Sequence, residues 1–443
     1  MKNEYFNGIK IWFPLLLVSG CCLISCNYSQ QYKGYDHTAI ALVIDKVTDI
    51  MVHDVTSPPL ASRFYSYICL AGLEAYSPVR PEFSTFLSQL KDYQRLHKEY
   101  SPKDIDFQLA VILSMLYTAK EIQPSGNNLI DYINQIKESS LIRGVSKRMM
   151  TNTEAYSQTI ARQILTYANT DGYRFISSLY RYQPIGSDGT WFPTPPGYFP
   201  AVEPYFNTLR PFFLDSADQF MIDAPSPYSE EIDSPFFQLA LEVYNQKLGE
   251  EELLIASFWD CNPFALDDNG HLLIGLKKIS PGAHWMGIAN IACKKADLSF
   301  EKSLEINTIL AMTLFDGFIG CWDEKYRSNR VRPETVLRKL KDPSYRPFLQ
   351  TPPFPEYPSG HSVVSTASAE VLTRYFGENF EYMDTVEVRY GLDPRKFTSF
   401  RHAAEEASIS RLYGGIHFRD AIEAGQEQGR KIGLLIIEKL GLN

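Results

Sequence analysis

Apolar residues recur every three or four positions through most of this chain, and that period commits it to helices. Ile40, Val43, Ile44, Val47, Ile50 and Met51 share one face over residues 36–52. Leu60, Phe64, Ile68 and Ala71 do the same over residues 59–76, behind Pro58-Pro59, a pair that a helix accepts at its first turn. Residues 104–121 open on Asp104 and Asp106, acids that suit the positive end of a helix dipole. The period returns at roughly 127–140, 147–169, 235–248, 284–297 and 300–324. Alternation with period two is scarce, so the expected class is an all-α helical bundle.

One stretch breaks the pattern. Residues 181–213 carry seven prolines among Trp191, Phe192, Tyr198, Phe199, Tyr205, Phe206, Phe212 and Phe213. Proline excludes a helix interior there, and the aromatics exclude a solvated linker. A long ordered loop across the helices is expected, either as a pocket wall or as structural cladding. The plan is then one domain over 35–443: a helical half 35–180, the loop 181–213, and a half 214–443 that carries the chemistry.

The first residues read as a targeting segment. Lys2 and Lys10 precede the short apolar run Ile11–Val18, a secretory core too short to span a membrane. Leu23-Ile24-Ser25-Cys26 resembles a bacterial lipobox, with Cys26 as the lipidated first residue of the mature chain and Cys21 as the competing site. The expected product is residues 1–25 removed, a tether over 26–34, and an exported lipoprotein on the periplasmic side or outer membrane, held by its lipid alone. Four further cysteines, Cys69, Cys261, Cys293 and Cys321, lie far apart, form no C-x-x-C pair and are expected as buried thiols. The histidines show no H-E-x-x-H spacing, so no zinc caged by protein ligands is suggested.

Composition removes other classes. With 43 Lys and Arg against 52 Asp and Glu the formal net charge is −9, the wrong sign for a protein that tracks a nucleic-acid backbone. At 44% hydrophobic and 21% charged the chain has a core to bury, which disfavours disorder. Past the first 30 residues no apolar run is read as a membrane span, which removes a polytopic membrane protein.

Against that acidic background the last third concentrates cations and histidines. Lys325, Arg327, Arg330 and Arg332 fall within eight residues and stop at Pro333. On a helix, Lys325 and Arg332 are almost two turns apart and share a face, which suits an anion with several oxygens; a solvated helix face reads the same way. Pro358-Ser359-Gly360-His361 precedes a helical run, so Ser359 and Gly360 sit where free N–H groups and the dipole favour an oxyanion, with His361 placed to move a proton. Ser410-Arg411 and His417 follow, separated by Gly414-Gly415, a break that lets two residues about 240° apart on a continuous helix converge. Asp420, three residues after His417, is close enough on a helix to orient its ring. His284, beside Trp285 after Pro281-Gly282, is a second-tier pocket candidate, and a packed histidine at a helix start is the preferred reading. Asp316 and Asp323 are read as ordinary helix acids.

The three motifs in this order, K-x6-R-P, P-S-G-H and S-R-x5-H, resemble the signature of the type 2 phosphatidic acid phosphatase and vanadium haloperoxidase superfamily. The preceding helical half makes the chain similar to its soluble haloperoxidase-like branch. The resemblance implies that Lys325, Arg332 and Arg411 bind the oxygens of phosphate or vanadate, that Ser359 and the Gly360 N–H add hydrogen bonds, and that His361 is the acid–base group. It implies for His417 either the nucleophile of a phosphatase or the ligand to vanadium of a haloperoxidase. The phosphatase pattern places its last acid four residues after that histidine; here Asp420 stands three after, still on the same side of a helix.

Three functions follow as expectations. The first is a haloperoxidase that holds vanadate and uses peroxide to oxidise halide. The second is a phosphatase acting on a phosphomonoester or lipid phosphate through the same residues, with no cofactor. The third, from another class, is a surface lipoprotein that binds glycans on its aromatic side chains, 27 Tyr and 27 Phe among them, without catalysis.

Overall fold

The computed structural model describes residues 34–94, 104–269 and 272–442. The expected signal segment, tether and Cys26 lie outside the described residues. Fifteen α-helices are present among the described residues: α1 His37–His53, α2 Pro58–Tyr76, α3 Pro81–Ser88, α4 Phe107–Ile122, α5 Ile130–Ile142, α6 Lys147–Ala168, α7 Tyr173–Ile176, α8 Pro235–Tyr244, α9 Glu250–Phe258, α10 Pro281–Lys295, α11 Phe300–Ser328, α12 Pro333–Leu340, α13 Gly360–Phe376, α14 Phe400–Tyr413 and α15 Arg419–Lys439. Two small antiparallel hairpins complete them, β1 Leu266–Asn269 with β2 Leu272–Gly275 and β3 Tyr382–Asp384 with β4 Arg395–Phe397. The all-α bundle expected from the apolar period is what forms.

Short polar residues set the helix starts. Asp36, Ser57, Asp106, Ser146, Ser280, Ser299, Ser359 and Ser399 each accept a first-turn N–H through the side chain. Each such cap satisfies one donor that the helix itself leaves unpaired, worth about 1 kcal/mol.

Helix α11 is the central element and packs against α2, α13, α10, α1 and α15. It is long and apolar enough to cross a membrane by length and composition, yet its apolar stretch is almost wholly buried among the other helices. The helix carries Asp316 near its middle. That aspartate is fully buried and accepts the N–H groups of Phe212, Phe213 and Leu214 at 2.8, 2.6 and 2.9 Å. Burial pushes its carboxyl up to about 6 against the pull of those three bonds. Asp316 therefore fastens the end of the 181–213 loop to α11, and Asp323 bonds Asn207 of the same loop. The loop joins α11's exit through Trp191 N–H to Asn329 O, at 2.9 Å, and a bridge between Thr190 and Arg330.

Helices α13 and α15 run parallel, in unusually close contact. A β-carbon on Gly425 would lie 2.7 Å from Ser359 O, one on Gly429 2.3 Å from Val363 O, and one on Gly433 2.8 Å from Glu370 Cβ. Three glycines spaced by four thus line one face of α15 against the backbone of α13. Because the two helices are parallel, both N-termini emerge on the same side of the bundle.

Candidate active site

The three motifs meet where α13 and α15 begin and α11 and α14 end. Lys325 lies in the last turn of α11 and Arg411 in the last turn of α14, where a cation faces the negative end of its helix dipole. Ser359 caps α13 and Gly360 is its first residue, with an N–H that has no intrahelical acceptor. The α14 helix stops at the Gly414-Gly415 break, where Gly415 takes φ +74°, and His417 stands two residues before α15. This is the convergence that the glycine pair was expected to allow.

Lys325 and Arg332 converge by a different route from the one expected. Helix α11 ends at Ser328, not near Arg332: Asn329 adopts φ 48° and donates its N–H to Lys325 O. The chain then turns, and Arg332 is an extended residue before Pro333, preceding α12. The left-handed cap ends the helix four residues before proline would have forced it.

All seven oxyanion-site candidates from the motifs are buried: Lys325, Arg332, Ser359, Gly360, His361, Arg411 and His417. Gly360, His361, Arg411 and His417 line a cavity of about 50 Å³ together with Phe318 and Trp322, and the other three adjoin it. Lys325 Nζ donates to the carbonyls of Pro355 (2.9 Å), Glu356 (3.1 Å) and Pro358, three acceptors for the three protons of an ammonium. Burial, reinforced by the Arg332 charge, nonetheless pushes it down to about 7. Arg332 donates from Nε to Phe354 O and from Nη1 to Ile416 O, both at 2.9 Å, and to His417 Nε2 at 3.1 Å. Arg411 donates from Nε to Ser410 Oγ at 2.9 Å and from Nη2 to Trp259 O at 2.5 Å.

His417 has a defined tautomer. Its Nδ1 is 2.8 Å from Glu356 Oε1, and that oxygen also accepts Phe418 N–H at 2.9 Å. Burial and the charges of Arg332, Lys325 and Arg411 hold the imidazole well below its usual range, so it is neutral. The proton sits on Nδ1 facing the carboxylate, and Nε2 accepts from Arg332. His361 is likewise held well below its usual range by burial and then by the charges of Arg411 and His284.

Asp420 does not orient His417, and that expectation is corrected. Its carboxylate accepts Arg330 Nη1 and Nη2 at 2.6 and 2.7 Å. His417 precedes α15 rather than lying on it, so helical i, i+3 spacing does not apply between the two. Glu356, fully buried, takes the role instead and also pairs with Arg330, 2.6 Å from Nε to Oε2. Sequence reasoning passed over Glu356, although it is the one acid in the Pro355–His361 stretch.

His284 does not line the cavity, a second correction. Its ring is fully buried behind Trp259, stacked at 4.6 Å, with Nε2 2.8 Å from Asp384 Oδ2. Trp259 also meets the ring of His361, edge-on at 6.0 Å, and His361, unlike His284, lines the cavity. The 181–213 loop is also absent from the cavity wall. It instead walls an outer cleft of about 400 Å³ through Pro195, Pro196 and Tyr198, and Gln350 borders both cleft and cavity.

Residues 305–441 match the family model described as VCPO second helical-bundle domain. The crystal structure of the first bacterial vanadium-dependent iodoperoxidase is 41% identical and superposes with a TM-score of 0.85, over 92% of this chain and 97% of its own. This chain belongs to the vanadium-dependent haloperoxidases. The apo and holo forms of a bacterial vanadium-dependent chloroperoxidase, each 15% identical, cover 87% of this chain and 94% and 93% of theirs, with TM-scores of 0.65 and 0.63. At that identity they bear on the fold alone. No curated protein matches the chain. As a member of the vanadium-dependent haloperoxidases the chain is an enzyme, and the phosphatase and glycan-binding readings of its motifs are not favoured.

Proposed function

We propose that this enzyme holds vanadate at the meeting point of α11, α13, α14 and α15 and uses peroxide to oxidise halide, with iodide as the halide it handles best. One observation carries the reading. Arg332 Nη2 and His361 Nε2, both buried, have no hydrogen-bond partner among the described residues. Such atoms are costly to bury unsatisfied, and here they flank His417, the residue whose Nε2 holds a lone pair. A tetrahedral oxyanion supplies oxygens for both. Iodide is favoured by the 41% identity to an iodoperoxidase.

The residues divide the work as follows. Lys325, Arg332 and Arg411 neutralise the charge of the oxyanion, and their protein acceptors hold them in place beforehand. Ser359 Oγ accepts Ser362 N–H at 3.3 Å and lies 2.9 Å from Ser362 Oγ. With Ser362 as donor in that second bond, the Ser359 hydroxyl proton is available to the anion. The Gly360 N–H and the parallel N-termini of α13 and α15 add positive potential. His417 Nε2, which accepts from Arg332 Nη1 at 3.1 Å, is the atom that would hold vanadium. Bound vanadate supplies the activation of peroxide toward halide. His361 Nε2 then accepts or returns a proton, because the added negative charge offsets the cations that keep its ring neutral.

Purified enzyme supplied with orthovanadate, peroxide and iodide is expected to form triiodide, faster than it consumes bromide. His417→Ala abolishes this. Vanadate-inhibited release of phosphate from a simple ester, with no iodide oxidation, overturns the assignment.

We further propose export as a lipoprotein anchored through Cys26, on the strength of the Leu23–Cys26 pattern. Mass analysis of the mature N-terminus in a bacterial host tests it: a diacylglyceryl adduct lost in Cys26→Ser is expected, and an unmodified N-terminus overturns it.

A further inference from the structure

Behind the catalytic cavity lies a second cluster that the oxyanion chemistry does not use. Cys261 follows α9 and stands in the cavity wall, His284 is in the first turn of α10, and Glu387 lies in the short turn Val386–Tyr390 after β3. All three are buried. Cys261 Sγ lies 3.4 Å from His284 Nδ1 and 3.7 Å from Glu387 Oε1, and Nδ1 and Oε1 are 3.3 Å apart. A tetrahedral zinc ion bonded to sulfur at about 2.3 Å, nitrogen at about 2.05 Å and oxygen at about 2.0 Å sets its ligand atoms about 3.3–3.6 Å apart. The three atoms therefore already form one face of such a tetrahedron.

The surroundings fit the same reading. Nε2 of His284 is 2.8 Å from buried Asp384 Oδ2, the outer carboxylate that fixes a metal-binding histidine with its free nitrogen turned to the ion. Trp259, stacked at 4.6 Å, fixes the ring plane. Sulfur, imidazole and carboxylate together select a borderline transition metal over magnesium or calcium. The residues are separated by 23 and 126 positions from Cys261, which is why no metal-binding spacing appears in the sequence.

We propose that Cys261, His284 and Glu387 bind one divalent transition-metal ion of the zinc type, with a water in the fourth position. Binding forms the metal–Sγ, metal–Nδ1 and metal–Oε1 bonds and one to a water, and releases the thiol proton and any proton on Nδ1. The ion would fix the 259–261 segment, whose Trp259 carbonyl holds Arg411. It would thereby brace one cation of the oxyanion site without touching it.

Cobalt is the probe. Full-length enzyme stripped with a chelator and titrated with Co2+, without vanadate, is expected to take up one equivalent with a thiolate-to-cobalt charge-transfer band. Zinc bleaches the spectrum. Cys261→Ser loses the band and binds at least tenfold more weakly, while Glu387→Gln weakens binding and keeps the band. Failure of the wild type to bind cobalt, or an unchanged spectrum in Cys261→Ser, overturns the site. X-ray absorption on the zinc-loaded wild type decides the matter even if the variants misfold: a sulfur at about 2.3 Å is expected, and a shell of nitrogen and oxygen alone overturns the proposal.

Discussion

Glu356 Oε1 and His417 Nδ1 are 2.8 Å apart, both buried, and the pair decides which face of the imidazole meets the cavity. With the Nδ1 proton held by the carboxylate, Nε2 keeps a lone pair and accepts from Arg332. Replacing Glu356 by Gln removes the charge that holds this tautomer and weakens the pair with Arg330. Vanadate affinity, read from the vanadate dependence of iodide oxidation, is expected to fall by roughly 10–100-fold, as for other residues that orient a metal-binding histidine.

Asp420→Asn gives the contrasting result. Its carboxylate touches Arg330, not His417, and is 26% exposed. Arg330 keeps Glu356 as partner, so the expected loss is roughly 1–3 kcal/mol of stability with little change in vanadate affinity. Thermal melts and vanadate titrations of the two variants side by side check this. An affinity loss greater in Asp420→Asn than in Glu356→Gln reverses the assignment.

The pairing also marks how far sequence reasoning reaches. Apolar period and proline placement located most helices because those signals are local, and it was the resemblance of the three motifs to the superfamily signature that implied one site for the seven residues. Asp420 was misassigned because the i, i+3 rule needs a continuous helix, and α15 begins only at Arg419. Glu356 was missed because 61 residues separate it from His417, and no period links the two. The same holds for Asp316, whose partners lie about a hundred positions away in the loop. The helix end at Asn329 was missed because a left-handed asparagine cap gives a weaker sequence signal than Pro333.

Lys325 makes anion binding depend on pH. Burial lowers it to about 7, against about 10.4 for a free lysine. Below pH about 7 it is charged in folded and unfolded chains alike, and the cost of burying the charge is fully present. Between about 7 and about 10.4 the unfolded chain binds a proton that the folded protein has released, so this group's contribution to stability improves as pH rises. Anion binding has the opposite slope: above pH about 7 the oxyanion must recruit that proton, and affinity falls. The advantage of wild type over Lys325→Met in vanadate affinity is therefore expected to be greatest below that pH and to narrow above it. Paired titrations across the range check the trend, and because vanadate's own ionisation affects both proteins alike, it cancels in the comparison.

The parallel contact of α13 and α15 ties packing to the site unevenly along its length. Gly425 lies at the site end, where an added β-carbon would fall 2.7 Å from Ser359 O and 2.9 Å from Ser362 Cβ. Gly433 lies two turns further on, where it would meet Glu370 Cβ at 2.8 Å and Ala367 O at 3.0 Å. Alanine favours a helix by about 1 kcal/mol over glycine, but backbone atoms cannot yield as a flexible side chain does. Overpacking of this kind costs roughly 1–3 kcal/mol, so both Gly425→Ala and Gly433→Ala are expected to lower the melting temperature. Only Gly425→Ala pushes on the residue that caps α13, so it alone is expected to weaken vanadate binding as well. Melting curves with and without vanadate separate the two effects: the rise in melting temperature on adding vanadate shrinks in Gly425→Ala and is preserved in Gly433→Ala. Equal shrinkage in both would mean that the contact acts on the site as one rigid block.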